Sequence, residues 1–167
     1  MGRRVHIISS NLHSVMNTLY AQAALQDLFP DTDLFTIAEE LSQPDQSDLR
    51  TKVKLYALEN GMHQIDDVSG TNISVQIFDL SYILFEKLPP EIRKDTLKPW
   101  EKAPVLVVMD YAFGEQAYES MDELLKPDEV NLEGELLLVD SISIMGKAGA
   151  LKGNKGDILI PTAHVFE

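Results

Sequence analysis

Cysteine is absent from the 167 residues of this sequence. Its absence excludes disulfide frameworks, cysteine-ligated metal sites and thiol catalysis. Long apolar runs are absent as well, because no stretch approaches the roughly 18 residues that a membrane-spanning helix needs. Arg3 and Arg4 are not followed by a long apolar segment, so we expect no secretory signal peptide. From these absences we expect a cytoplasmic protein.

Basic residues are scarce. The chain has 14 lysines and arginines against 27 acidic residues, which gives a formal net charge of -13. A surface of this kind repels phosphate backbones and anionic lipid headgroups. We therefore expect neither a nucleic-acid polymer nor a membrane as the main partner. A small anion would have to be captured by a few residues, against the field of the whole molecule.

What is present is a globular composition, with 44% hydrophobic and 25% charged residues. Such a chain can bury a core, and its length is that of one ordinary domain, residues 1–167. Apolar runs and alternation predict strands near residues 5–8, 73–79, 105–109, 136–144 and 157–161. Helical spacing and capping residues predict helices near 12–28, 34–41, 49–60 and 115–125. The stretch 62–72 has neither pattern and is predicted to be a loop.

Strands that alternate with helices predict an α/β fold with a mostly parallel or mixed central sheet of about five strands flanked by helices. The uninterrupted apolar run 105–109 is typical of a strand covered on both faces. In the strand near 73–79, the polar Ser74 and Gln76 alternate with apolar neighbours, which predicts a half-buried strand with these two residues outward. Ligands of such folds bind at the carboxyl ends of strands, which draws attention to residues 9–14, 110–115 and 146–155.

The segment 146–156 differs in composition from the rest of the chain. It contains four of the nine glycines and three lysines. Glycines let an anion approach backbone N–H groups closely, and lysine adds a positive charge. A phosphate or ribose site is one interpretation, and a solvated surface turn explains the composition equally well. The segment is not a P-loop, because Gly-Lys is not followed by Ser or Thr at the required spacing.

The strings DSISIMGKAGAL at 140–151 and KGDILIP at 155–161 resemble the signature of the nucleoside phosphorylase and nucleosidase superfamily, in a version similar to that of the AMP nucleosidases. The resemblance covers roughly residues 104–165. It implies a three-layer α/β domain that binds a nucleoside or nucleotide and phosphate, cleavage of an N-glycosidic bond, and no cofactor. It also implies a homo-oligomer.

The same resemblance implies which residues touch the ligand. The turn formed by Gly146, Lys147, Ala148 and Gly149 would hold phosphate or ribose, and Gly114 of the preceding turn would lie against the same ligand. Lys147 departs from the family pattern, which often has Ser or Thr there. The family's ribose-binding Met-Glu region and base-protonating residue come later in the fold. No catalytic residue is therefore assigned.

Two hypotheses follow from that half-complete site. The first is the nucleotide-binding portion of an N-glycosidic-bond-cleaving enzyme. In this hypothesis the chain is a fragment of a longer one and is inactive alone, because an end just after residue 161 would leave a sheet edge unprotected. The alternative is a non-catalytic α/β binding or oligomerisation domain.

Four other residues are candidates for the site: Ser10, His13, Asp110 and His164. His13 lies in the predicted first helical turn and could bind phosphate, although a local hydrogen bond is the simpler role. Asp110 could orient a ribose hydroxyl, although capping of the following helix is simpler. Asp157 is interpreted as a structural carboxylate that holds backbone N–H groups of its loop. No histidine or carboxylate spacing indicates a metal site.

Overall fold

The computed structural model of the chain describes residues 3–68, 70, 72–93, 103–112, 114–125, 138–146, 153–154, 157 and 160. Five strands form one sheet: β1 (Arg4–Ser9), β2 (Met62–Ile65), β3 (Val75–Asp79), β4 (Val105–Met109) and β5 (Leu138–Ile144). Four α-helices accompany them: α1 (Leu12–Ala24), α2 (Leu34–Leu41), α3 (Ser47–Glu59) and α4 (Gly114–Leu125). Two short 3₁₀ turns, Leu80–Tyr82 and Phe85–Lys87, follow β3. These helix and strand counts refer to the described ranges.

The strand order is β2-β3-β4-β1-β5. β1 is parallel to both of its neighbours, β4 and β5, whereas β3 is antiparallel to β4 and to β2. The sheet is therefore mixed, and the prediction of an α/β fold with a mixed sheet of about five strands is confirmed. Its parallel part, β4-β1-β5, carries three carboxyl ends at one edge.

Both faces of the sheet bury residues at its centre, whereas Ile142 and Ile144 of β5 are exposed. On one face, Phe78 and Val108 are fully buried against α1, α2 and α3. On the other face, Val5, Ile7 and Met109 are also buried, with exposed fractions of 4% or less. Two covered faces make three layers, which is the arrangement expected for this class.

The packed layer of α1, α2 and α3 is set by short-range signals in the sequence. Asn11 caps α1 by accepting a hydrogen bond from the backbone N–H of His13 at 2.8 Å. Asp33 caps α2 by accepting from the N–H groups of Phe35 and Thr36, each at 3.0 Å. Capping of this kind satisfies N–H groups that the first helical turn leaves free. Tyr20 of α1 then stacks on the Phe78 ring in the core.

The prediction of a loop over residues 62–72 is wrong, because Met62–Ile65 forms β2 and pairs with β3. Only Met62 is buried in β2, so the sequence of this strand shows little apolar alternation. The strand is recognised in the structure by its pairing with β3. The prediction that Gln76 faces outward is also wrong, since Gln76 is 3% exposed. Alternation indicates the solvent face only when one face of the sheet is open, and here both are covered.

Helix α1 ends at Ala24, four residues earlier than predicted. Residues 25–28 turn instead, with the N–H groups of Leu28 and Phe29 both donating to the carbonyl of Leu25. The other helices agree with the predicted ranges within two residues. The predicted strand 157–161 lies largely outside the described residues. In the described ranges, no helix combines the length and the apolar character needed to cross a membrane.

The connections between parallel strands run in opposite directions across the sheet. The chain goes from β1 through α1, α2 and α3 to β2 on one side of β1 and returns through β3 to β4, and it then goes from β4 through α4 to β5 on the other side of β1. Such crossovers are almost always right-handed, so α4 is expected on the sheet face opposite α1. The chain is therefore expected to leave β1 and β4, which are neighbours, toward opposite faces. The crevice between two such strand ends is where α/β sheets bind ligands.

Candidate functional site

The carboxyl ends of the three parallel strands are held together by backbone hydrogen bonds that continue past the strands. The N–H of Ser10 donates to the carbonyl of Met109 at 3.0 Å, and the N–H of Met145 donates to the carbonyl of Ser9 at 2.9 Å. The N–H of Asp110 donates to the carbonyl of Ser74 at 3.1 Å. The turns that follow β1, β4 and β5 therefore begin side by side.

A cleft of about 200 Å³ opens at this edge, on the α1 side of the sheet. Its lining comes from α1 and its cap, α3, β2, β3 and the end of β4, and comprises Asn11, Leu12, His13, Met16, Lys54, Gln64, Gln76 and Asp110. Six of these eight residues carry polar side chains. The cleft lies beside the carboxyl ends of β1 and β4 and extends over β3 and β2.

Gln76 is the most buried polar side chain of the cleft. It lies on β3, where it pairs with Val108 of β4 and with Gln64 of β2. Among the described residues, its Oε1 has no hydrogen-bond partner although the atom is buried. A buried amide oxygen without a partner costs roughly 1–3 kcal/mol. Because Gln76 also lines the cleft, a rotation of its amide toward the cleft would let a bound molecule satisfy this acceptor.

Three ionisable groups surround the mouth of the cleft. Asp110 is half-buried, and its Oδ1 accepts from the N–H of Tyr111 at 2.8 Å. Lys54 and His13 are exposed, and within the described part of the chain Lys54 forms no ion pair. The cleft therefore offers a cation, a carboxylate and amide groups within a small space.

Gly146 follows β5 and lies against an aromatic ring from the turn after β4. A methyl group placed on Gly146 would be 3.5 Å from Cε1 of Tyr111, which is an ordinary van der Waals contact. Tyr111 directly follows Asp110, so it links the cleft to the turn at Gly146. Gly114, the first residue of α4, has a φ of +57°, a left-handed conformation that favours glycine.

Several of the residues predicted from the sequence lie at this edge. His13 and Asp110 line the same cleft. Gly146 lies next to the ring of Tyr111, the residue that follows Asp110. The N–H that Asp110 accepts from belongs to Tyr111, which lies before α4, so this bond is not the predicted helix cap. Ser10 is buried, and its hydroxyl donates to the carbonyl of Asn11 at 3.2 Å, so it belongs to the local turn. Lys147, Ala148, Gly149 and His164 lie outside the described residues.

Asp157 behaves as its structural interpretation predicts. Its Oδ2 accepts from the N–H of Asn154 at 2.7 Å, and its own N–H donates to the carbonyl of Asn154 at 3.1 Å. Gly153, directly before Asn154, has a φ of +112°. Asp157 therefore holds Asn154 at the end of the Gly/Lys segment, defined as residues 146–156.

Besides Met16 of α1, sequence reasoning missed Lys54, Gln64 and Gln76. They come from α3, β2 and β3, which are distant in sequence from the strand ends. Gln76 carried a signal, since a glutamine between Val75 and Ile77 stands in an apolar strand. Its interpretation needed the knowledge that both faces of the sheet are covered.

A second groove, of about 460 Å³, lies along α3 near the end of α1. Ala24, Lys52, Leu55, Tyr56 and Glu59 are among its lining residues. It is open to solvent and its lining is mainly apolar. None of its lining residues follows a strand. The cleft at the strand ends is the better candidate because polar groups from five elements converge there.

A family model matches residues 31–167 of this chain, which is most of its length. The chain belongs to DUF6909, a family of unknown function. The DUF6909 match includes Lys54, Gln64, Gln76 and Asp110 of the cleft, and it begins after α1. No curated protein matches the chain, and no solved structure does so either.

Proposed function

We propose that the chain binds a nucleoside or nucleotide at the carboxyl ends of β1, β4 and β5, as the ligand-binding portion of an enzyme that cleaves N-glycosidic bonds. The observation that carries the proposal is the polar cleft beside the carboxyl ends of β1 and β4. The chain is expected to leave these two neighbouring strands toward opposite faces of the sheet. In α/β proteins this junction is the usual position of a nucleotide.

The turn after β5 supplies a second argument. Gly146 begins the Gly/Lys segment, whose likeness to the phosphorylase signature implies a contact with phosphate or ribose. Gly146 stands next to Tyr111, and Asp110 precedes that tyrosine in the cleft lining. A nucleoside monophosphate with one end in the cleft would extend its other end toward this turn. Asp110 would then face a ribose hydroxyl, for which a carboxylate is a good acceptor.

Titration calorimetry of the 167-residue chain with AMP, adenosine and inorganic phosphate tests the proposal. AMP is expected to bind more tightly than adenosine, because the phosphate adds charge-assisted hydrogen bonds. Lys147→Ala is expected to abolish that difference. A ligand at about 100 times its Kd would also raise the free energy of unfolding by about 2.7 kcal/mol. The absence of heat and of any thermal shift with all three ligands would refute the proposal.

Gly146→Ala is the matched variant for the backbone. The neighbouring Tyr111 ring leaves room for a methyl group at 3.5 Å, so the variant is expected to fold with unchanged stability. Its methyl group would nevertheless hinder the close approach of a phosphate to the backbone N–H groups. Weaker AMP binding at unchanged stability is therefore the expected result. Equal AMP affinity would place the phosphate elsewhere.

The second candidate function is a non-catalytic domain that associates with copies of itself. It is favoured by β5, the last strand in the described order, where Ile142 and Ile144 are 42% and 68% exposed. An open strand edge with apolar side chains is a template for pairing with another chain. Sedimentation of the wild type and of Ile144→Lys tests it. A dimer that the substitution dissociates, without any nucleotide binding, would favour this function over the first.

A further inference from the structure

The buried amide of Gln76 is an unexplained polar group in the candidate site. Gln76 is 3% exposed, lies on the face of the sheet that α1 covers and lines the cleft. Its Oε1 is buried and accepts no hydrogen bond from any described residue. Native proteins rarely leave such an atom unpaired, and an exception at a cleft points to a partner that binds from outside.

The chemistry of a carboxamide restricts what that partner is. Gln76 presents an acceptor, Oε1, beside a donor, Nε2, in one plane. A complementary ligand carries a donor beside an acceptor at the same spacing. Carboxamide side chains meet that condition with adenine, whose amino group donates while the adjacent ring nitrogen accepts. Inorganic phosphate is tetrahedral and does not offer a donor beside an acceptor in one plane, so it complements the carboxamide less well.

The size of the cleft agrees with a base and not with a whole nucleotide. Pockets that enclose a drug-sized ligand measure about 300–1,000 Å³. The cleft measures about 200 Å³, so it holds one part of such a molecule. The sugar and phosphate would then extend past Asp110 toward Gly146.

We infer that the cleft is the base-binding subsite and that Gln76 recognises an aminopurine by pairing with its amino group and ring nitrogen. This inference rests on the proposed function and adds the class of base and the residue that reads it. Met16 and Leu12 supply apolar lining beside the amide, and Gln64 lies opposite Gln76 on β2. Gln76 is a specificity residue in this arrangement and takes no part in bond cleavage.

A thermodynamic cycle between protein and ligand tests the inference. The ligands are adenosine and purine riboside, which differ only in the amino group of the base. The proteins are the wild type, Gln76→Leu and the control Gln26→Leu, which makes the same substitution at an exposed site. The wild type and the control are expected to bind adenosine about tenfold or more tightly than purine riboside. Gln76→Leu is expected to bind the two ligands within about twofold of each other.

The stability of the variant provides a second measurement. Leucine fills a similar volume without an unpaired amide, so the ligand-free Gln76→Leu protein is expected to melt about 2–4 °C higher than the wild type. A gain in stability together with lost discrimination separates ligand recognition from a structural role. Gln76→Met repeats the test with a flexible side chain of similar length.

The outcomes are distinguishable. If the wild type binds both nucleosides equally, or if Gln76→Leu still prefers adenosine, the inference is overturned while the proposed function stands. If neither nucleoside nor AMP binds the wild type, the proposed function fails and the inference fails with it. Loss of the adenosine preference in Gln76→Leu alone supports both.

Discussion

Arg3 holds both carboxylate oxygens of Asp79, with nitrogen–oxygen distances of 2.7 and 2.6 Å. The same guanidinium donates to the carbonyls of Ala103 and Pro104 at 2.9 and 3.3 Å. Asp79 in turn accepts from the N–H and the hydroxyl of Ser81. One ion pair therefore ties the start of β1 to the end of β3 and to the segment that enters β4.

This pair predicts an acid-sensitive contribution to stability. The Arg3 guanidinium, with help from Ser81, holds the pKa of Asp79 well below its ordinary value of 3.8. A lowered folded-state pKa stabilises the protein above the ordinary value, and this contribution is lost as the pH falls below it. Asp79→Asn is expected to lower the free energy of unfolding by about 1–2 kcal/mol at pH 7. This is a modest loss because the Arg3 side chain is 36% exposed.

Urea unfolding between pH 7 and pH 2 measures that contribution. The difference between wild type and Asp79→Asn is expected to shrink as the pH falls below about 4, because the Asp79 carboxyl of the unfolded chain then takes up a proton while that of the folded chain stays ionised to lower pH. Asp140→Asn is the control, since its partner Arg4 is 74% exposed and the pair adds little. A difference that stays constant down to pH 2 would contradict the role given to the charge.

Gly61 is expected to tolerate no side chain. Its φ is +94°, and a Cβ there would lie 2.7 Å from Cβ of Tyr82 and 2.8 Å from the carbonyl oxygen of Asp79. Gly61→Ala is expected to lower the free energy of unfolding by about 2–4 kcal/mol, since backbone strain and a clash act together. Gly70→Ala isolates the strain, because its φ is +81° and no atom lies within 4 Å of its Cβ position. Equal losses in the two variants, measured by urea unfolding, would refute the clash.

Tyr20 predicts a sensitivity at the opposite end of the pH scale. Its hydroxyl donates to the carbonyl of Asn60 at 3.0 Å, and burial raises the pKa of Tyr20 above its ordinary value of 10.0. The unfolded chain therefore loses this proton first, and stability falls as the pH rises above 10. Tyr20→Phe is expected to lower the free energy of unfolding by about 1 kcal/mol at pH 8, and the difference between wild type and variant is expected to be smaller at pH 11. Thermal unfolding at both values checks this, and a difference that grows with pH would contradict it.

The sequence pattern predicts those parts of the fold that local residues determine. The run 105–109 and the spacing of α1, α2 and α3 predict their elements because apolar periodicity reports a buried face. β2 escaped prediction because Met62 is its one buried residue, and a strand of four residues needs a partner to define it. The antiparallel insertion of β2 and β3 beside β4 depends on pairing between distant segments, which periodicity does not encode.

The residues of the candidate site also fall into two groups, those that the local sequence predicts and those that depend on the strand order. His13 and Asp110 could be predicted because the residues after parallel strands meet at one edge. Gln76 and Lys54 come from elements whose position at that edge depends on the strand order. The sequence shows that Gln76 is a polar residue in an apolar strand. That it is buried becomes evident only from the structure, in which the helices cover its face of the sheet.

Lys54 provides a test of how a nucleotide is oriented in the site. It lines the cleft from α3, whereas Lys52, two positions earlier, lines the groove along that helix. If the base occupies the cleft, Lys54→Met is expected to weaken AMP and adenosine by the same factor, because the phosphate lies at the turn of Gly146. If the phosphate occupies the cleft instead, the substitution would remove a charge-assisted contact and reduce AMP affinity about tenfold relative to adenosine. Calorimetry at low salt measures this ratio, since screening weakens an exposed contact. Lys52→Met is the matched control and is expected to leave both affinities unchanged, because residues two apart on a helix point to different sides.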